Sequence, residues 1–386
     1  MRQSSCWGRR TFVRQGVGAA AGIAFGSIGC GSPSGSPSGP SPTPSPAGPA
    51  VALVRVPDYP GSYAALSQAF DLIGGIETLV RHKTVTVKVN LTGTPTELFG
   101  RPSQETYVNH GDTMLALVTH LANAGAHRIR IVESAGSSNA LEPFAASYGW
   151  DVAALHVAGP VEFENTRNLG TSGTYLHVPS PSGLLFDSFD LNRAFDTDVM
   201  VSLAKMKNHR AAGVTLTLKN LFGILPNSLY GNDAPREDAS ESRHTLHQRI
   251  GGPLHPGEKD ILADAPATVR VPRIITDICS ARPIHLAIVE GITTMSGGEG
   301  PWSPREDLRF QTPGVMIVGT DPVATDAVAT AVMGYDDPLS STAAPFHFCE
   351  NHLRFAHDAG LGVGELSRID VRGERIEDVR TPFAWR

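Results

Sequence analysis

The residues best suited to chemistry crowd into a short stretch. Lys205-Met206-Lys207-Asn208-His209 is followed by Lys219-Asn220-Leu221-Phe222-Gly223. The 386 residues include 26 Arg but only six Lys, and three of those Lys fall between 205 and 219. Where Arg is the default base, clustered Lys points to a compact, pKa-tunable ammonium rather than a guanidinium fork. A solvated basic loop would carry the same charges, but Leu216, Leu218, Leu221 and Phe222 make the second half apolar. Ammonium groups held there would neutralise charge on a small anionic or carbonyl-bearing substrate. Lys205, Lys207 and Asn220 are therefore assigned to substrate binding. Lys219, His209 and His247 are assigned to catalysis, with an imidazole transferring the proton.

Further polar residues stand where strands are expected to end. Asn90 precedes Leu91-Thr92-Gly93, and Glu133 precedes Ser134-Ala135-Gly136-Ser137-Ser138, a small-residue turn able to offer N–H groups to an anion. Glu290-Gly291 ends a third strand ahead of Ser296-Gly297-Gly298-Glu299-Gly300-Pro301. Asn90, Glu133 and Glu290 join the substrate-binding set. Asp321-Pro322-Val323-Ala324-Thr325-Asp326 reads as a helix start, with Pro and acids suited to the first turn, and Asp326 could also line the site. His244 and His247, with His255 beyond, could share a metal, but a charged or hydrogen-bonding role beside the Lys cluster is preferred and no metal is assigned. His347, Cys349 and His352 could imitate a metal set, and Cys279 with Cys349 could pair after export or stay buried and inert. No Gly-x-Gly-x-x-Gly fingerprint follows the first strand, no Gly-Lys-Ser/Thr loop exists, and no Gly-x-Ser-x-Gly elbow appears. Dinucleotide binding, phosphate-loop nucleotide binding and triad hydrolysis lose support.

The elements that must position these groups alternate. Val51–Val56 reads as a strand, Ser62–Leu72 as a helix, Thr84–Val89 as a strand, Thr113–Ala124 as a helix closed by Gly125, and His127–Val132 as a strand. Later come a strand over Asp198–Leu203, an apolar helix or turn over Val214–Phe222, a helix over Pro272–Ser280 and a strand over His285–Val289. Val315–Val318, a helix over Thr325–Met333 and an edge strand over Ile369–Arg372 complete the order. Residues 226–270 are polar and broken by Gly and Pro, which suggests a long loop or lid. The pattern predicts an α/β fold: a mainly parallel sheet with helices on both faces, in one large domain over 51–386 that could have two lobes. Ligands of such sheets bind outside the carboxyl ends of the strands.

Composition bounds the rest. Residues 1–50 hold four Arg and no acid, so the body carries 28 bases against 38 acids, a net charge of −10. That balance argues against a nucleic-acid partner. Gly8-Arg9-Arg10-Thr11-Phe12-Val13-Arg14 followed by the short apolar run Val17–Ile28 reads as a twin-arginine export signal over 1–29. Of residues 31–50, 17 are Gly, Ser or Pro, so 30–50 reads as a tether, with Cys30 as its lipid attachment point. The protein is expected to be exported, and anchored at the cell envelope if Cys30 is lipidated. Any membrane contact is assigned to that lipid alone.

Several of these residues carry a resemblance. Val87-Lys88-Val89-Asn90, Ala124-Gly125-Ala126 with Val132-Glu133-Ser134, Lys205-Met206-Lys207-Asn208-His209, and Val214 through Gly223 occur in this order. Ile288-Val289-Glu290-Gly291 with Gly298-Glu299-Gly300-Pro301, and Asp321 through Asp326, follow. Together they resemble the domain of unknown function 362 family over roughly residues 51–372. The sequence has Val89 where that family often has Pro, and Glu290 where Asp is usual. Many relatives carry a ferredoxin-like, Cys-rich iron–sulfur segment, which implies redox work. This chain has no such Cys-rich motif, and its cofactor is left open. The family's later His corresponds to His244 or His247. Two functions remain in play: an exported enzyme acting on a small, anionic ligand, or a lipid-tethered protein that binds a ligand or metal at the same residues without turnover.

Overall fold

In the computed structural model, the residues described are 48–135, 140–239, 241–383 and 385. The leader, Cys30 and most of the tether lie outside them, as do Gly136, Ser137 and Ser138 of the small-residue turn. The described strands are β1 (Ala50–Arg55), β2 (Thr84–Lys88), β3 (Arg128–Glu133), β4 (Val161–Asn165), β5 (Tyr175–Pro179), β6 (Ser188–Asn192), β7 (Val199–His209), β8 (Gly213–Thr215), β9 (Leu286–Ser296), β10 (Arg309–Gln311), β11 (Val315–Gly319) and β12 (Asp370–Gly373).

The main sheet has the order β12-β1-β11-β9-β7-β2-β3-β4. Every neighbouring pair along it is parallel except the two made by β11, so seven of these eight strands run one way. Short β10 and β8 add antiparallel to β9 and β7, and β5–β6 is a separate hairpin. The sheet is mainly parallel, as the strand–helix alternation predicts. The first strand, however, is not next to the second: β11, β9 and β7 come between β1 and β2.

Buried apolar residues on both faces of the central strands explain why helices cover both sides. Val51 and Leu53 of β1 enter one core cluster, while Ala52 and Val54 enter the other. Helices Ser62–Leu72 and Gly111–Asn123 cover the second cluster through Leu66, Phe70, Leu117 and Leu121. Helices Ala267–Ala281, Pro322–Val332 and His352–Asp358 cover the first through Ile274, Ile278, Val328 and Leu353. Gly125 takes φ +87° directly after the helix that ends at Asn123, the left-handed stop its position suggests. Pro46–Arg386 forms one compact unit rather than two lobes.

Two strands run longer than their sequence suggests. β7 continues through Lys205, Lys207 and His209, and β9 continues through Glu290 to Ser296. The lysines and Glu290 therefore lie within strands, not beyond their ends. Opposite charges make this possible: Lys205 pairs in register with Glu290 on the neighbouring strand, so each supplies the other's counter-charge in the core. A register shift between Lys205 and Lys207 then places Lys207 beside Met295. The loop expected over 226–270 is tied down. It contains the short helices Asn227–Tyr230 and His244–His247, and its Glu258 makes a fully buried ion pair with Arg270 (2.7 Å).

Candidate functional site

Lys205 and Glu290 are both fully buried. The Lys205 ammonium donates to Glu290 Oε1 (2.6 Å), the Gln104 carbonyl (2.8 Å) and Tyr59 Oη (3.0 Å). Three donors meet three acceptors, so no N–H remains for a ligand. Burial disfavours the charge, but Glu290 and Tyr59 outweigh it and the pKa is raised. The second oxygen of Glu290 accepts from Asn109 Nδ2 (3.3 Å) and the His110 N–H (3.1 Å).

A second ion pair closes the ends of β2 and β3. Lys88 donates to Glu133 Oε2 (2.9 Å), the Val89 carbonyl (2.6 Å) and Asn220 Oδ1 (3.2 Å). Glu133 also accepts from the N–H groups of Leu91 (2.9 Å) and Ser134 (3.0 Å). Asn220 Nδ2 reaches the carbonyls of Lys88 and Leu203, tying β2 to β7. Asn90 donates through Nδ2 to Asn220 Oδ1 (3.3 Å) and through its N–H to Asn109 Oδ1 (2.6 Å). Asn109 thereby joins both ion pairs into one buried network. Gly223 explains its own type: a Cβ there would lie 2.8 Å from Lys88 Nζ and 2.9 Å from Glu133 Oε1.

Two lysines beside this network are not used up. Lys207, 1% exposed, donates among the described residues only to the Tyr107 carbonyl. Lys219 makes no hydrogen bond or ion pair among the described residues. Its ammonium lies 4.6 Å from the centroid of the Phe222 ring, and the residue keeps some solvent contact. Burial pulls each amine down to about 7. Glu299 opposes the shift at both; Lys219 and Lys205 add to it at Lys207, and Lys88 and Arg243 add to it at Lys219. The amines therefore titrate near neutrality, where a group can both give and take a proton. Lys88, Lys207, Lys219 and Arg243 thus share their electrostatic surroundings with the carboxylates of Glu133 and Glu299.

The two imidazoles are oriented oppositely. His209 Nδ1 accepts from the Ala211 N–H (3.1 Å), so its proton sits on Nε2. His247 Nδ1 lies 2.7 Å from the Arg243 carbonyl and must donate, leaving Nε2 a free lone pair. Burial and then Lys219 push His209 well below the usual imidazole range and His247 to about 4. Both are neutral at pH 7. Among the groups expected to move a proton, Lys219 is the one matched to that pH.

The sequence-selected residues thus divide. Lys207, Lys219, His209 and His247 share electrostatic surroundings and keep free bonding capacity. Lys205, Asn220, Asn90, Glu133 and Glu290 gather nearby and are hydrogen-bonded within the buried network, with Asn90 Oδ1 left without a partner among the described residues. Asp326 is bonded to the segment that carries Lys219: it accepts from the N–H groups of Thr217 and Leu218 (both 2.9 Å) and from Thr217 Oγ1 (2.6 Å), at the start of the helix Thr217–Asn220. Burial raises its carboxyl to about 7. His247 faces Lys219 whereas His244 is exposed, and Cys279 and Cys349 are separate buried thiols. His347 is exposed while His352 is fully buried. Among the described residues, no three His, Cys, Asp or Glu side chains come together to hold a metal. Sequence reasoning missed Lys88, Asn109, Arg243 and Glu299 as parts of this centre. The scarcity of Lys would have flagged Lys88, since four of the six Lys fall here.

A family model described as "Domain of unknown function (DUF362)" matches residues 85–331, from β2 to the helix after β11. The chain belongs to the DUF362 family. The match contains every residue of the network and of the open lysine pair except Tyr59. A curated relative, the Synechocystis thylakoid-associated protein sll1697, is 31% identical over 25% of this chain and 38% of its own length. The chain therefore spans well under half of that relative. A crystal structure of a Thermotoga maritima protein aligns over 70% of this chain and 57% of its own, at 14% identity and a TM-score of 0.34. No described helix of this DUF362 protein is long and apolar enough to cross a membrane.

Proposed function

We propose that the protein is an enzyme acting on a small, anionic, carbonyl-bearing substrate held between Lys207 and Lys219. One observation carries this reading: of the four lysines in the buried centre, these two retain donors that no group among the described residues accepts. An entering anion would supply the missing negative charge and draw protons onto both amines. His209 Nε2–H would donate to a substrate oxygen, and His247 Nε2 would accept a proton.

The depressed basicity of His247 favours a second reading, a binding protein without turnover, because an imidazole held to about 4 is a poor base at neutral pH. We also place the protein outside the cytoplasm, exported by residues 1–29 and tethered through Cys30, on the strength of the Arg9-Arg10 motif and the composition of 31–50. Arg9→Lys with Arg10→Lys should leave an unprocessed protein inside the cell.

Thermal-shift and calorimetric titration with oxalate, pyruvate, glyoxylate and inorganic phosphate tests the site. At least one of these should stabilise the wild type and lose most of its effect with Lys207→Met or Lys219→Met. If none binds, the anion site is wrong. If one binds, His247→Gln separates the readings. An enzyme loses turnover at preserved affinity, whereas a binder shows no turnover to lose.

A further inference from the structure

We propose that Lys219 forms an imine with the carbonyl of a small 2-oxo acid whose carboxylate rests against Lys207. The inference builds on the functional reading above and names its substrate class. The four lysines of the centre are not equivalent as nucleophiles. Lys205 and Lys88 each give all three N–H groups to protein acceptors within 3.2 Å. Lys207 is 1% exposed and already bonded to the Tyr107 carbonyl. Of the four, Lys219 has an amine with no hydrogen-bond partner among the described residues, some solvent contact and an apolar wall in Phe222. Its low basicity leaves much of it unprotonated at neutral pH, the form that attacks a carbonyl.

The surrounding groups suit the rest of the step. The amine lone pair forms the C–N bond as the carbonyl π pair moves to oxygen, where the neutral His209 Nε2–H can supply a hydrogen bond. The two protons on nitrogen then pass in turn, through His247 Nε2 or the Glu299 carboxylate, to that oxygen, which leaves as water while C=N forms. One water is released and no oxidant or reductant is consumed. Glu299 is itself steered, accepting from the Arg210 N–H (3.1 Å) and Trp302 Nε1 (3.3 Å). A carboxylate next to the carbonyl is the feature that selects a 2-oxo acid. It answers the charge surplus of Lys207 and Arg243, which a neutral ketone leaves unbalanced.

The test is reductive trapping on the wild-type chain. The protein is incubated at pH 7 with pyruvate or glyoxylate and cyanoborohydride, then mapped by peptide mass. The expected result is a reduced adduct at Lys219, formed at least about tenfold faster than at Lys83 or Lys259, since a lowered pKa leaves more free amine. Acetone should react at Lys219 more slowly than pyruvate, and Lys207→Met should narrow that difference. An adduct spread evenly over the lysines overturns the proposal. So does the absence of any Lys219 adduct when oxalate or pyruvate still stabilises the protein, and in that case the anion site survives. If neither trapping nor anion stabilisation occurs, both readings fall.

Discussion

Lys205 and Lys219 lie only fourteen positions apart in a buried polar centre, yet one is raised in pKa and the other is lowered to about 7. Burial pushes both in the same direction. The difference is what each meets. Lys205 has Glu290 at 2.6 Å and two further oxygen acceptors; Lys219 has an aromatic face. A buried charge that has found its partners holds the fold together, and one that has not is available to a ligand. Lys88 stands between the two: it is bonded to Glu133 as Lys205 is to Glu290, but there burial outweighs the pairing and its pKa is lowered.

The largest effect should come from breaking the saturated half. Lys205→Met leaves the Glu290 carboxylate buried without its ammonium and should cost about 3–5 kcal/mol in denaturant unfolding. Adding Glu290→Leu should recover much of that loss. A single variant as stable as the wild type would mean that the pair does not hold β7 to β9. Gly223→Ala should follow at about 1–3 kcal/mol, because its methyl group enters the Lys88–Glu133 pair. A well-tolerated alanine would show that this pair has room to move.

The open half should respond in the opposite sense. Folded Lys207 titrates at about 7 and the unfolded chain near the ordinary value of 10.5. Between those values the unfolded state binds the extra proton, so stability rises with pH across that window and is flat from this group below about 7. Lys207→Met should therefore raise stability at pH 7 and flatten the rise. Asp326 works in another window. Its carboxyl is raised from 3.8 to about 7, so the folded chain keeps a proton and stability falls as pH climbs between those values. Asp326→Asn should reduce that fall. Unfolding series from pH 4 to 10 separate the two. The smallest effect is expected at His209→Ala, which should weaken anion binding by about 0.5–1.5 kcal/mol, the contribution of one hydrogen bond from a neutral ring.

Much of the fold was legible because its signals are local. Helix Ser62–Leu72 falls where its apolar spacing puts it, and Gly125 stops the next helix where a left-handed residue is needed. The strand boundaries at Lys205 and Glu290 were not legible. A charged residue reads as the end of a buried strand unless its counter-charge, 85 positions away, is known to sit in register. The partners of Asp326 were hidden for a related reason: local sequence shows a strand turning into a helix, but not that this helix start meets Thr217 and Leu218 more than a hundred positions earlier.

The sequence by itself determined the α/β alternation, the family, and the concentration of a scarce residue type at one place in the chain. These follow from composition, periodicity and motif order, which need no long-range contact. Only the tertiary structure decided the function each lysine can have. Hydrogen-bond saturation is set by groups arriving from distant strands and loops: Glu290 and Gln104 at Lys205, Glu133 and Asn220 at Lys88. The two amines those groups do not reach, Lys207 and Lys219, are the ones proposed to meet a ligand.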